Sequence, residues 1–572
     1  MRKLFSLRSP SRWFFFRADD RLLLILMGII VGICSGLAAL ALSYSLETLL
    51  EFFHHYSQHW WVFILPAIGA ALSSIFLNYV LKEGAGHGVP EVIYSVSRYG
   101  GLIRLRSSFS RLVSSCLTIG FGGSAGPEAP VVMSGAAIGS NIANFFYLND
   151  RQRVTLVGCG AAGAIAAIFN APIAGMIFTM EVILGEWSMV NIIPIAIASV
   201  AGAETSRLLV GNYIKFSHLT LNTNFIDMVA CFGLAAVTAI VSILMTRMLR
   251  NMHHVSEKVK TKPWIRAAMG GCLVGLLGFQ VPEVLGEGYH AIEAMVQGTF
   301  KAGLLVVAVA AFAKILATSL TLGWGGSGGI FAPCLVIGSF TGLAFHRLLV
   351  IVFPEIAWVN EGCFALLGMA GMISGILQAP LTGIFLIVEI TGSSEVMLPL
   401  IAVSSISTTL CHYFEPASFY VKDLVEKGQL LRPGTDERVL TDLSVAELLE
   451  FDCVVIKKNM MFREFIEVVK SSKRNYYPVE NEDGSFAGIV YFDEIRPYLF
   501  DTLMYDAIII EQIVDDKVRV VNYTDDLSEV LKTMDNNGLY SMPVVSNNRF
   551  AGMISKATIL DHYRKELKVQ TT

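Results

Sequence analysis

Charge is scarce in this 572-residue chain: Asp, Glu, Lys and Arg make up 16% of it, against roughly a quarter in soluble domains. The shortage is local. Residues 421–572 hold 19 basic and 26 acidic residues, leaving 24 and 21 for the first 420. The tail is therefore as charged as a soluble domain, whereas the long part before it is not. A mean hydropathy of +0.58 places the chain among membrane proteins. No basic stripe runs through any segment and the net charge is -4, so no nucleic-acid partner is expected. The nine cysteines are scattered without a CxxC pair, which argues against a disulfide frame or a zinc site. Neither a nucleophile with its base nor a metal-ligand cluster stands at useful spacing, so an enzyme is not expected. Glycine is abundant where charge is missing, with 44 of its 50 residues before position 421.

Arg2, Lys3, Arg8, Arg12, Arg17 and Arg21 precede the first apolar run. By the positive-inside rule the segment 1–21 is cytoplasmic. It lacks a small-residue cleavage site at signal-peptide spacing and is expected to be retained. Residues 22–50 predict one long helix, with Gly28, Gly32 and Gly36 spaced for close packing in a bilayer. Further apolar segments fall at 62–81, 109–121, 129–147, 154–184 and 190–212. After a polar stretch at 250–264, read as a mid-chain loop, they resume at 265–280, 302–322, 330–352, 362–391 and 396–413. Many are too short or too interrupted to be simple ~20-residue spans. Interrupted helices are tolerated at membrane depth where they line a polar cavity.

The organising stretch is Gly122-Gly123-Ser124-Ala125-Gly126-Pro127-Glu128-Ala129-Pro130. A carboxylate in hydrocarbon is costly and usually lines a polar pathway. Pro127 suits the first position of a new helix, whose unpaired N–H groups and dipole would face an anion. On these residues alone, a Gly/Pro kink carrying an incidental acid is the other reading. The stretch recurs. Gly122-Gly123-Ser124 is echoed by Gly325-Gly326-Ser327, 203 residues on. Phe169-Asn170-Ala171-Pro172 is echoed by Leu377-Gln378-Ala379-Pro380, 208 residues on, and Glu181 and Glu389 keep that spacing. Duplicated halves with broken helices are the pattern of transporters whose site lies between the repeats. In the second half, Gly328-Gly329-Ile330-Phe331-Ala332-Pro333 has no counterpart of Glu128.

In these motifs and their order the chain resembles the CLC family of chloride channels and proton/chloride exchangers. Residues 86–91, GHGVPE, are similar to its first filter motif, usually GSGIPE. Residues 126–130, GPEAP, are similar to the second, usually GREGP, and residues 328–333, GGIFAP, match the third. Tyr420 stands where the family's pore tyrosine falls. The resemblance implies an all-α polytopic membrane fold with an inverted internal repeat, spanning 22–415 as two repeats of about 22–212 and 225–415. It implies a homodimer in the cell (inner) membrane, with one anion pathway per subunit. Glu128 would be the gate, displacing the outer anion when charged and leaving when protonated, so acid would favour opening. His87, Gly126, Pro127, Ala129, Ile330, Phe331 and Tyr420 would surround the anions, with backbone N–H groups near Gly126–Ala129 and Ile330–Phe331 holding them and Tyr420 closing the central site.

Three departures bear on mechanism. His87 replaces the family's pore serine, either as an anion or pH-sensing contact or as a hydrogen-bonded structural residue, which leaves the choice of chloride over other anions open. Val182 stands where exchangers commonly carry an internal proton-transfer glutamate, and valine relays no proton, so channel-like or loosely coupled flux is expected over H+/Cl- antiport. Glu181 would be the family's structural acid one residue earlier. Pro127 and Ala129 replace the usual Arg and Gly beside the gate. Glu389, Glu91 and Glu204 are expected to cap or pair near helix ends.

After a linker at 416–439, residues 440–500 and 507–565 repeat each other. Tyr477-Pro478-Val479 recurs as Met542-Pro543-Val544, and Phe486-Ala487-Gly488-Ile489 as Phe550-Ala551-Gly552-Met553. Each unit predicts an amphipathic helix, a strand ending at Pro-Val, a turn and a second strand. This resembles a cytoplasmic tandem CBS pair of α+β type. The resemblance implies an adenine nucleotide near Tyr491, Glu494, Ser555 and Thr558, although the usual ribose-binding Asp is absent. The alternative is a dimer-stabilising module that needs no cofactor. A membrane-anchored nucleotide sensor is the reading from a different class.

Overall fold

The computed structural model describes residues 20–54, 60–83, 88–212, 216, 224–430 and 443–571. The chain forms two compact units that meet in sequence at 430/431. The stretch 416–430, read as linker, contains the helix Phe419–Glu426 and belongs to the first unit.

The first unit is helical and runs twice through the same order of elements. The first pass is Asp20–His54, Leu65–Ile75, Val89–Arg98, Ser107–Gly120, Glu128–Phe145, Asp150–Phe169, Pro172–Phe178 and Met189–Val210. The second is Phe225–Lys258, Pro263–Gln280, Tyr289–Val296, Leu304–Gly323, Phe331–Val352, Glu361–Leu377, Pro380–Thr391 and Met397–Phe414. Among the described residues, eight helices are long and apolar enough to cross a membrane. One expectation is corrected, and the interruptions expected within the apolar segments are located. The polar stretch 250–264 is not a loop, because the helix Phe225–Lys258 continues through it and only residues 259–262 turn. A helix leaving the apolar layer keeps its backbone bonds while its side chains become polar, so polarity alone did not mark its end. The segments 154–184 and 362–391 are each two helices, broken where Asn170 and Gln378 adopt left-handed φ of 55° and 53°.

The backbone repeats as closely as the sequence. Gly122 and Gly325 have φ of 92° and 105°, and Ala171 and Ala379 share φ of -130° with ψ of 80° and 79°. Gly126 and Gly329, equivalent at an offset of 203, exchange both backbone bonds at 2.8 and 2.7 Å as an antiparallel pair. Ser124 N–H donates to Thr321 Oγ1 at 3.1 Å and Ser327 N–H to Thr118 Oγ1 at 3.1 Å. Such reciprocity between equivalent residues requires a local two-fold axis, so the repeats are inverted about this point.

Glycine lets the helices touch along their backbones. The Gly28–Gly32–Gly36 stripe packs on Met189–Val210, where a Cβ at Gly32 would lie 2.3 Å from Ala198 O. The crossing of Glu128–Phe145 with Asp150–Phe169 has the same design as that of Phe331–Val352 with Glu361–Leu377. A Cβ at Gly139 would fall 2.0 Å from Leu156 O, and one at Gly342 would fall 1.9 Å from Phe364 O. Without a solvent-driven hydrophobic effect inside a bilayer, such close backbone contact is a main source of helix association.

The second unit holds two three-stranded sheets, β1-β2-β3 (Ile456–Lys457, Tyr476–Glu480, Phe486–Tyr491) and β4-β5-β6 (Val521–Asn522, Ser541–Ser546, Arg549–Ser555). Each carries the expected helix before its hairpin, Phe462–Ser471 or Leu527–Asn536. The strands run past their Pro-Val pairs, to Glu480 and Ser546, and each sheet gains a short parallel strand that its two residues did not announce. The repeats exchange leading segments, with Glu450 bridging to Met553 and Asp515 to Ile489. The rings of Phe486 and Phe550 stack between them, 5.9 Å apart and 21° from parallel.

Candidate anion site

Two helices of opposite repeats begin at one place. Pro127 (φ -81°, ψ -11°) precedes Glu128–Phe145, and Ile330 (φ -90°, ψ -9°) holds the same position before Phe331–Val352. Pro127 therefore lies one residue ahead of the helix, and Glu128 itself opens it. Pro130 and Pro333 have no N–H. The first-turn donors are consequently those of Glu128 and Ala129 from one side, Phe331 and Ala332 from the other. Both helix dipoles point their positive ends here.

The Glu128 side chain is 1% exposed and folds back into this place. Its Oε1 accepts a hydrogen bond from the Tyr289 hydroxyl, and its Oε2 one from Ala332 N–H at 3.3 Å. Gly126 makes room, since a Cβ there would lie 2.1 Å from Oε2. Two expected contacts act differently from the sequence reading. Gly126 N–H is taken by Gly329 O, and Pro127 has no N–H, so both shape the site without donating to an anion. Ala129, Ile330 and Phe331 are buried around the carboxylate, with the Phe331 ring against Phe169 and Phe178 at 5.5 and 6.0 Å. Tyr420, 2% exposed, stands at the second residue of Phe419–Glu426. Cys334 lies within electrostatic reach of both Glu128 and Tyr420.

The first filter stretch approaches through Gly88 (φ 83°), whose missing Cβ would stand 2.7 Å from Ala129 O. His87 lies outside the described residues. Val182 is half-buried in the π-helical turn Thr179–Leu184 and packs on the apolar core. Glu181 beside it caps the opposite repeat, accepting Leu381 N–H at 3.2 Å, Thr382 N–H at 2.8 Å and the Thr382 hydroxyl at 2.7 Å. Glu389 returns the cap, accepting Ile173 N–H at 3.0 Å and Ala174 N–H at 2.7 Å. Glu91 pairs with Arg111 at 3.3 Å and Glu204 with Arg207 at 2.8 Å. All four acids are thus structural partners.

Sequence reasoning missed Tyr289, Ala332, Cys334 and the buried Lys314. The signal for Tyr289 was available. Gly286 and Gly288 precede it in the second repeat as Gly86 and Gly88 precede Val89 in the first. One carboxylate and one anion cannot share a single set of N–H donors. Protonation removes the charge that makes the carboxylate the stronger acceptor.

Inverted repeats that aim helix N-termini at one buried carboxylate define an anion-transporting membrane protein. The family profile described as voltage gated chloride channel matches residues 69–412, and a CBS domain profile matches 510–565. The chain belongs to the CLC family, whose common work is anion transport across membranes. The H(+)/Cl(-) exchange transporter ClcA of Klebsiella pneumoniae is 27% identical over 429 residues, covering 71% of this chain and 89% of its own. The namesake from Vibrio cholerae is 30% identical over 352 residues, covering 60% and 74%. In fold the chain is similar to a slow cyanobacterial Cl-/H+ antiporter (TM-score 0.65, 20% identity, 72% of this chain and 98% of that one). It is also similar to a eukaryotic CLC transporter (TM-score 0.62, 17% identity, 94% and 98%).

In the second unit, Ser555 and Thr558 come together, but their hydroxyls both donate to the Glu450 carboxylate. Arg474 pairs with the same carboxylate at 2.9 Å, and the Tyr476 hydroxyl donates to it at 3.3 Å. Tyr491 is half-buried in the other repeat and Glu494 is exposed. As arranged, the hydroxyl pair is engaged within the chain. Burial pushes the Glu450 carboxyl up, but the two hydroxyls, the Arg474 charge and Tyr476 outweigh it and hold it below the usual carboxylate range. A depressed folded value means this stabilisation is complete above the unfolded value of about 4.3 and disappears as pH falls through the folded one. Glu450→Gln is expected to lower the stability of the tail by roughly 1–3 kcal/mol at pH 7 and to flatten its acid sensitivity below pH ~4. Hydrogen exchange of the tail in the full-length protein checks this, and wild-type protection in the variant would contradict it.

Proposed function

We propose that the protein exchanges chloride for protons across the cell membrane, with Glu128 as both gate and proton carrier. The observation that supports this most is the Glu128 carboxylate seated on helix N-terminal donors, where an anion would otherwise be held. A carboxylate that leaves only when protonated links each anion passage to a proton. The exchange named for relatives at 27–30% identity favours this over the channel-like flux expected from Val182. Loosely coupled flux remains the second reading, supported by the apolar Val182, which the family resemblance aligns with the internal acid of exchangers. The decisive test is the reversal potential of purified protein in liposomes. Under exchange it shifts when a pH gradient opposes the chloride gradient. A potential set by chloride alone identifies a passive conductor.

The proposal includes a homodimer with one pathway in each subunit, and a cytoplasmic N-terminus and tail, as the family resemblance implies. For the tail we propose a packing module that works without nucleotide. Glu450 on the Ser555–Thr558 hydroxyls supports that choice.

A further inference from the structure

The gate has a second hold besides helix N–H groups. Tyr289 is the first residue of Tyr289–Val296, in the repeat that lacks an acid of its own at the site. Its hydroxyl donates to Glu128 Oε1 while Ala332 N–H donates to Oε2, so the carboxylate is gripped at both oxygens. The grip is stiff. Lys314, fully buried, donates to Val284 O at 3.0 Å and Gly286 O at 2.9 Å, fixing the segment that enters the helix. Gly286 N–H reaches Gly122 O at 3.3 Å, which ties that segment to the turn before the gate. Gly288 then turns the chain at φ 86°, and the Tyr289 ring rests on Phe216 with centroids 6.0 Å apart.

We propose that Tyr289 is the latch of the gate: its O–H holds the charged Glu128 carboxylate across the outer anion position and releases it when the acid is protonated. This rests on reading Glu128 as the gate. A phenol donates more strongly to a carboxylate than to a neutral acid. The bond therefore stabilises the closed, charged state selectively, which an apolar residue of equal size cannot do. The other titratable groups facing the pair are Cys334 and Tyr420 near Glu128, and Glu287 and Lys314 beside the Tyr289 segment. Tyr289 is a positioning residue, acting on the anion only through Glu128.

The test is the pH dependence of chloride flux in liposomes for Tyr289→Phe, which keeps the ring on Phe216 and deletes the donor. Losing a donor to the charged form eases protonation, so half-activation is expected about one pH unit higher, with the maximal flux at low pH retained. A 3-fluorotyrosine at position 289 is a stronger donor of nearly the same shape and should move half-activation the opposite way. An unchanged midpoint in both proteins, or a flux reduced equally at every pH, overturns the latch. Glu128→Gln measured alongside separates the two claims. If it flattens the pH response while Tyr289→Phe shifts nothing, the latch fails and the gate stands. If it leaves the response intact, the gate reading itself fails.

Discussion

Glutamine in place of Glu128 is expected to abolish acid activation and leave chloride flux as high at pH 7.5 as at pH 4.5. The side chain keeps its length but can no longer become an anion. In the wild type, the protonated fraction of a carboxyl changes about tenfold per pH unit above its midpoint, and under the proposed mechanism gating follows that fraction. The neutral amide cannot compete with an anion for Ala332 N–H on equal terms, because the carboxylate's advantage there is its charge. The variant should also lose the shift of reversal potential with a pH gradient, since no other acid among the described residues is seated on these helix starts. Flux assays at both pH values decide the matter. A pH response equal to the wild type would remove Glu128 from the mechanism, whatever its position.

The second large effect concerns assembly. Gly139→Ala or Gly342→Ala is expected to cost on the order of 3 kcal/mol or more, at the upper end of overpacking penalties. The added methyl would start 2.0 or 1.9 Å from a carbonyl oxygen of the facing helix. Neither atom belongs to a flexible side chain, so the helices themselves must move apart. The change would spread along the whole crossing, because interiors are close-packed. Both helices that open at the anion site pass through these crossings, and their separation would misalign the N–H groups that grip Glu128. Gly303→Ala is the control, since nothing lies within 4 Å of its added Cβ. Thermal unfolding and monodispersity in detergent should distinguish the variants. Wild-type stability for Gly342→Ala would mean that the crossing is looser than the structure has it.

Much of this molecule was legible before any coordinate. Glycine and proline spacing marked the helix starts, because those residues act on the backbone locally and through steric rules that need no partner. The offsets of 203 and 208 located the repeats, and Glu128 stood out because a carboxylate in an apolar setting demands a reason. Where the reading went astray, the missing information was also physical. The helix to Lys258 outlasted its apolar face, so the polarity of 250–264 did not mark its end.

Sequence by itself determined the membrane class, the duplication, the order of the filter motifs and the acid at their centre, all properties of neighbouring residues or of fixed spacing. Tertiary structure alone decided which groups those residues meet. It put Glu181 and Glu389 on each other's repeats, gave Gly126 N–H to Gly329, brought Tyr289 to Glu128 across 161 positions, and set Glu450 on the hydroxyls of Ser555 and Thr558. A hydrogen bond's partner depends on where the fold returns the chain to itself, and here that place is set by the two-fold relation of the repeats, which no single segment contains.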